Sequence, residues 1–150
     1  MDLSIYRKKR DFTKTAEPMG SVKKTGKSRF VVQRHQARNL HYDFRLETEG
    51  VLKSWAVPKG LSNKKGEKRL AIQVEDHPVD YINFEGKIPE GQYGAGTVKI
   101  WDKGTWKLLS GSLKQGQLEF DLTGKRYKGT YTLIQTKMGG NKKNWLVFKK

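Results

Sequence analysis

Eleven residues, His35-Gln-Ala-Arg-Asn-Leu-His41-Tyr-Asp43-Phe-Arg45, hold two of the chain's three histidines together with an aspartate and an arginine. From Leu40 onward the residue types alternate. Leu40, Tyr42, Phe44 and Leu46 fall on one face of an extended strand, and His41, Asp43, Arg45 and Glu47 on the other, because successive strand side chains point to opposite sides. Two imidazoles and a carboxylate suit a divalent transition ion. Three protein ligands leave positions open for water and substrate. An ion held this way polarises a phosphoryl oxygen and lowers the pKa of bound water. Arg45 and Arg69 would clamp phosphate oxygens, and His77 would contact the phosphate or protonate a leaving oxygen.

Each residue also has a plainer reading. A lone histidine is more often a hydrogen-bonded polar residue than a ligand, and Arg45 and Arg69 could simply pair with Glu47 and Glu75. His41-X-Asp43 with His77 also matches the facial triad of non-haem iron oxygenases. The residues alone therefore leave His35 and His77 open as the third ligand.

The elements that must position these side chains read as strands. Phe30–His35 alternates, with Val31, Gln33 and His35 on one face. Val51–Pro58 follows a Glu49-Gly50 turn and ends at the proline. Arg69–His77 places Leu70, Ile72 and Val74 on one face and Arg69, Ala71, Gln73, Glu75 and His77 on the other, with Tyr81–Phe84 as its extension. Gly86–Gly96 reads as a tight loop; it lacks the Lys-Ser/Thr of a phosphate-cradling P-loop. Strand-like runs follow at Thr97–Trp101, Thr105–Leu109, Gln117–Leu122, Gly129–Thr136 and Asn144–Lys149. Short, regular strands between turn signals predict an all-β fold over 30–150, a sandwich or a barrel. Residues 1–29 are basic, punctuated by Pro18, Gly20 and Gly26, and read as an arm with a short turn at Tyr6–Phe12. As antiparallel neighbours, Gln33/His35, His41/Asp43/Arg45 and Arg69/Gln73/Glu75/His77 would face one pocket. Such a face is costly to bury unless its members bind one another, a metal or a ligand.

Composition narrows the partner. The 150 residues carry 31 Lys and Arg against 15 Asp and Glu, a net charge of +16, which points to a polyanion such as nucleic acid. No apolar run approaches the roughly 20 residues of a membrane span. Cysteine is absent, which removes thiolate catalysis and fits a reducing cytoplasm. Nothing in the sequence asks for more than a monomer.

The order of residues adds a resemblance. Phe30-Val-Val-Gln-Arg-His35 through Glu47, Leu52-Lys-Ser-Trp-Ala-Val-Pro-Lys59-Gly, Arg69-Leu-Ala-Ile-Gln-Val-Glu75-Asp-His77-Pro and Phe84-Glu-Gly-Lys-Ile-Pro-Glu-Gly-Gln-Tyr-Gly-Ala-Gly closely resemble the 3′-phosphoesterase domain of bacterial DNA ligase D and its stand-alone archaeal and bacterial forms. The start, Tyr6-Arg-Lys-Lys-Arg10-Asp11-Phe with Glu17-Pro18, and the end, Met138-Gly-Gly-Asn-Lys-Lys-Asn-Trp-Leu-Val-Phe-Lys-Lys, fit as well. The resemblance implies a compact single-domain β-barrel over 30–150, a hydrolase dependent on manganese, with cobalt or zinc as other ions that fit. It implies a nuclease step that removes a 3′-terminal ribonucleoside from a DNA primer–template. A 3′-phosphatase step then leaves a 3′-hydroxyl for ligation in non-homologous end joining, by a separate ligase and polymerase. It assigns metal ligation to His35, His41 and Asp43, and phosphate contact and catalysis to Arg45, Arg69, His77 and Tyr81. Gln33, Lys59 and Glu75 support them, and Arg10, Asp11 and Glu17 belong to an N-terminal segment ordered as a flap over the site. A DNA-binding module that only recruits a ligase or polymerase shares the charge but gives no reason for the His/Asp/Arg face.

Overall fold

Runs of β-branched and aromatic residues, cut by glycine turns, form nine strands in the computed structural model, which describes residues 2–137 and 140–150. Met138 and Gly139 of the terminal motif lie outside the described residues. The strands are β1 (Arg29–Gln36), β2 (Leu40–Thr48), β3 (Val51–Val57), β4 (Arg69–Pro78), β5 (Gly86–Ile88), β6 (Gly96–Ser112), β7 (Gln117–Thr123), β8 (Lys128–Gln135) and β9 (Asn144–Lys149). Neighbouring strands run antiparallel in the order β1-β2-β3-β4-β9-β8-β7-β6, and β1 pairs back onto β6. This closes an eight-stranded barrel, with β5 added beside the first residues of β6. Closure removes the unpaired edges that would invite aggregation.

Phe30, Val32, Phe44, Leu46, Trp55, Phe120, Tyr131 and Trp145 fill the barrel interior. A second apolar layer lies on the outside of the wall, where Val31, Leu52 and Val98 meet Tyr6, Tyr81, Ile82, Phe84 and Ile88. β1 and β2 are therefore covered on both faces, and Asp43, Arg45 and Glu47 are buried although they point away from the core. The β2–β3 hairpin fixes their register. Glu49 and Gly50 take left-handed φ of 54° and 85°, as a two-residue turn requires, so Thr48 pairs with Val51 and Arg45 with Ser54.

The structure departs from the expected elements in four places. Tyr81–Phe84 does not extend β4, because Val79–Asn83 coils into a 3-10 helix after Pro78. The expected loop Gly86–Gly96 contributes a short strand, β5. The runs at Thr97–Trp101 and Thr105–Leu109 are one 17-residue strand. Asp102-Lys103-Gly104 reads as a turn but stays paired with β1, and Gly104 admits the close approach of the Thr123 carbonyl. On β4 the apolar face Leu70/Ile72/Val74 turns away from the core: Leu70 is exposed while Ala71 is fully buried in the barrel.

The stretch that composition marks as an arm packs on the wall. A short helix, α1 (Ser4–Lys8), brings Tyr6 to full burial, and Glu17 is buried as well. Among the described residues no helix is long and apolar enough to cross a membrane.

Candidate functional site

β1 and β2 place His35 directly opposite His41 and Gln33 opposite Asp43, so three donors converge on the outer wall of the barrel. His35 Nδ1 lies 3.4 Å from one oxygen of Asp43, and His41 Nε2 lies 3.3 Å from the other. One ligand atom from each of the three residues lies within 4.8 Å of the other two. The far ring nitrogens face carbonyl oxygens: His35 Nε2 at 2.7 Å from Gly94 and His41 Nδ1 at 3.1 Å from Asn39. A carbonyl only accepts, so each far nitrogen carries a proton, and whenever a ring is neutral its lone pair lies on the near nitrogen, facing Asp43. In the neutral state two lone pairs and a carboxylate then face one another, an arrangement that a proton or a cation must relieve. Backbone carbonyls that fix ligand tautomers in this way are usual around protein-bound metals. Gly94 is suited to its task, since its φ of 77° is left-handed.

Arg45 is the next group along β2. Its Nε donates to Gln33 Oε1 at 2.7 Å, and Gln33 Nε2 donates to the Tyr81 and Phe84 carbonyls. Its Nη2 lies 3.5 Å from Asp43, and its plane packs 4.8 Å from the Tyr81 ring centre. Nη1 is buried without a hydrogen-bond partner among the described residues. An unmade hydrogen bond on a buried cation is costly, and an anion's oxygen would satisfy it.

His77 on β4 closes the other end. Its Nδ1 donates to the Glu75 carbonyl at 2.9 Å, and Nε2 accepts from Arg10 Nη2 at 3.5 Å. The rings of Tyr6 and Tyr81 pack edge-on against it. Above lie Arg10, bonded to Glu17 at 3.0 Å, and Tyr81, whose hydroxyl donates to Glu17 at 2.6 Å. Glu75 receives Lys9 at 3.1 Å and Arg10 at 3.5 Å.

These surroundings set the charges. Burial opposes ionisation of Asp43, but Arg45 and the two histidines outweigh it and hold the carboxyl far below the usual range. His41 is disfavoured as a cation by burial, yet the Asp43 hydrogen bond raises its pKa. His77 is pushed well below its ordinary value by burial and by Arg45 and Arg10, so it is neutral. Burial and Glu17 keep the Tyr81 phenol protonated despite Arg45.

The result is a cavity of about 310 Å³ walled by the barrel below and the N-terminal segment above. It brings together His35, His41, Asp43, Arg45, Glu75, His77, Tyr81 and Arg10. Gln33 and Glu17 stand behind Arg45 and Tyr81. The shared pocket expected for Arg69 and Gln73 does not form. Arg69 binds the Lys59 and Gly60 carbonyls and Glu67, with Lys59 beside it in a separate groove, and Gln73 accepts from Trp145 Nε1. Two features separate Arg69 from His77. The register of β4 on β3 shifts between the Val74 and His77 pairs, so Ala71 fills the barrel while His77 lies on the outer wall. Eight residues at roughly 3.3 Å each also span up to about 26 Å along the strand. Asp11 is also outside the cavity, half-exposed and bonded to Thr13. Of the two candidate third ligands, His35 joins the cluster and His77 does not. Pattern reading missed Tyr6, Ser54 and Tyr93, which touch the site through tertiary contacts that no spacing announces.

The family model described as the DNA Ligase D 3′-phosphoesterase domain matches residues 33–135. The chain is 50% identical over 153 residues to the multifunctional non-homologous end joining protein LigD of Pseudomonas aeruginosa, covering 98% of this chain and 18% of that protein. It is 46% identical to the protein of the same name from Mycolicibacterium smegmatis, over 97% of this chain and 20% of the relative. With the LigD DNA repair protein of Mycobacterium tuberculosis the identity is 48%, over 97% and 19%. The chain thus spans about a fifth of the length of these curated relatives.

Proposed function

The chain belongs to the DNA ligase D 3′-phosphoesterase family, and from that premise we propose that it is a metal-dependent phosphoesterase of DNA 3′ ends. It removes a 3′-terminal ribonucleoside by phosphodiester cleavage and then the remaining 3′-phosphate, leaving a 3′-hydroxyl that a separate ligase can seal. The observation that carries this reading is the convergence of the near ring nitrogens of His35 and His41 and the Asp43 carboxylate beside a buried arginine whose Nη1 has no partner among the described residues.

His35 Nδ1, His41 Nε2 and Asp43 would hold a divalent ion, with manganese as the assignment. When bound, such an ion polarises a phosphoryl oxygen and acidifies water. The protein's own groups do the rest. Arg45 donates Nη1 to a phosphate oxygen, in an orientation fixed by Gln33 and by Tyr81. His77 presents a neutral Nε2; an arriving phosphate brings the negative charge that raises its affinity for a proton, which Nε2 takes from solvent water and passes to the leaving oxygen. Preorganised charge of this kind contributes most where phosphate charge builds in the transition state.

The test uses a 5′-labelled DNA primer–template ending in one ribonucleotide, with manganese and then with chelator. Stepwise shortening to a 3′-phosphate and then a 3′-hydroxyl, lost with chelator and in folded Asp43→Ala protein, is the expected result. Primer that is bound and never changed would replace the enzyme with a recruiting module. Substantial turnover by Asp43→Ala would overturn the ligand set.

A further inference from the structure

Resting on that reading, we propose that Tyr93 is the platform on which the base of the departing 3′-terminal ribonucleoside stacks. Tyr93 is 46% exposed and is the one aromatic among the large exposed hydrophobic side chains of the described residues. It also lines the cavity that holds the donor cluster. Its position is built rather than accidental. The carbonyl of the next residue, Gly94, binds His35. Turn hydrogen bonds from Gln92 to Pro89 and from Ala95 to Gln92 hold the loop. Lys9 bonds the phenol oxygen at 3.3 Å and Arg10 lies 5.2 Å from the ring centre, so the N-terminal segment steadies the ring.

The cavity's shape selects the terminal nucleoside. At about 310 Å³ it is at the low end for a small-ligand site. Tyr6, Arg10 and His77 wall off one end. It takes the end of a strand and not a strand passing through. With the scissile phosphate at Asp43 and Arg45, the one nucleoside beyond it lies within the cavity, whose lining includes the half-exposed Tyr93 ring. Stacking on an aromatic ring is strong and indifferent to base identity, which suits an enzyme that must accept any terminal base. The ring's other partners are cations, whose attraction to it adds to its rigidity.

A 3′-phosphate substrate lacks that last nucleoside, and this difference makes the role testable. Ribonucleoside removal and 3′-phosphate removal are each measured with manganese for wild type, Tyr93→Leu and Tyr93→Phe. Tyr93→Leu should raise KM for ribonucleoside removal about tenfold more than KM for 3′-phosphate removal, with kcat for the two steps moving in parallel. Tyr93→Phe should restore the wild-type ratio, because the ring returns without its hydroxyl. A primer ending in an abasic ribose should show the raised KM already with wild type, with no further rise in Tyr93→Leu. Equal KM effects on the two steps, or a ratio left unmoved by Tyr93→Leu, would overturn the stacking role while leaving the phosphoesterase intact. Failure of the wild type to act on either substrate would overturn the phosphoesterase reading and this role with it.

Discussion

His77 and His41 lie on one wall of the barrel, yet the protein treats their charge in opposite ways. His41 leans on Asp43 and is held toward the cation, while His77 is buried between Arg10 and Arg45 and is held neutral. Each difference is also a stability term, because the unfolded chain titrates both near 6.5. For His77 the folded pKa is depressed. Its contribution is fully present above pH 6.5 and is lost as pH falls, where the unfolded chain takes up a proton that the folded chain refuses. For His41 the folded pKa is raised, so its contribution is present below 6.5 and is lost as pH rises through the folded value. The two oppose each other, and removing His77 leaves the His41 trend. Metal-free His77→Gln should therefore lose less stability than wild type between about pH 7 and pH 5, measured as urea midpoints in chelator. A parallel loss in the two proteins would mean that His77 is not buried as a neutral ring.

At the scale of elements, α1 raises a question of why it forms at all, since five residues are far too few for a helix to persist alone. Tyr6 anchors it in the outer apolar layer, and the buried Arg10–Glu17 pair staples the following chain to Tyr81 and Glu75. Removing one member of such a pair strands the other charge. Glu17→Ala should cost about 3–5 kcal/mol, whereas the double variant Arg10→Met with Glu17→Leu should cost less than either single change. Denaturant titration of the set checks both statements, and additive losses would show that the pair is not coupled. Sequence pattern could not announce this strap, because its contacts span tens of residues and its basic composition imitates a loose tail. The strands were legible for the opposite reason: alternation in β1 and β2 is local and places Gln33, His35, His41, Asp43 and Arg45 on one usable face, whereas a register shift in β4 carries His77 to a face its alternation with Ala71 does not give. Alternation does not say which face meets the core, nor how far apart two residues of one strand lie. Leu70 accordingly turned outward, and Arg69 fell away from His77. Turn signals misled at Asp102-Lys103-Gly104, where pairing with β1 carries the strand through a glycine.

For the molecule as a whole, a charge of +16 on 150 residues is far more than one phosphate site needs. The cavity itself uses few of those charges, since Arg45 answers Asp43 and Arg10 answers Glu17. The surplus, on residues such as Lys24, Lys64, Lys114 and Lys142, is exposed; under the proposed function it would gather a polyanion at a distance by releasing the polyanion's counterions. Gathering and chemistry should then separate with salt. A strand that neutralises about three phosphates outside the cavity would lose roughly 40-fold in affinity between about 50 and 200 mM salt. The kcat/KM for a primer–template should fall by a similar factor over that range, and kcat at saturation should change little. Hydrolysis of a small aryl phosphate, which touches only the cavity, should be nearly flat. If the small substrate were as salt-sensitive as DNA, the ions would be acting on the site itself, and the exposed lysines would have no part in bringing the strand to Asp43 and Arg45.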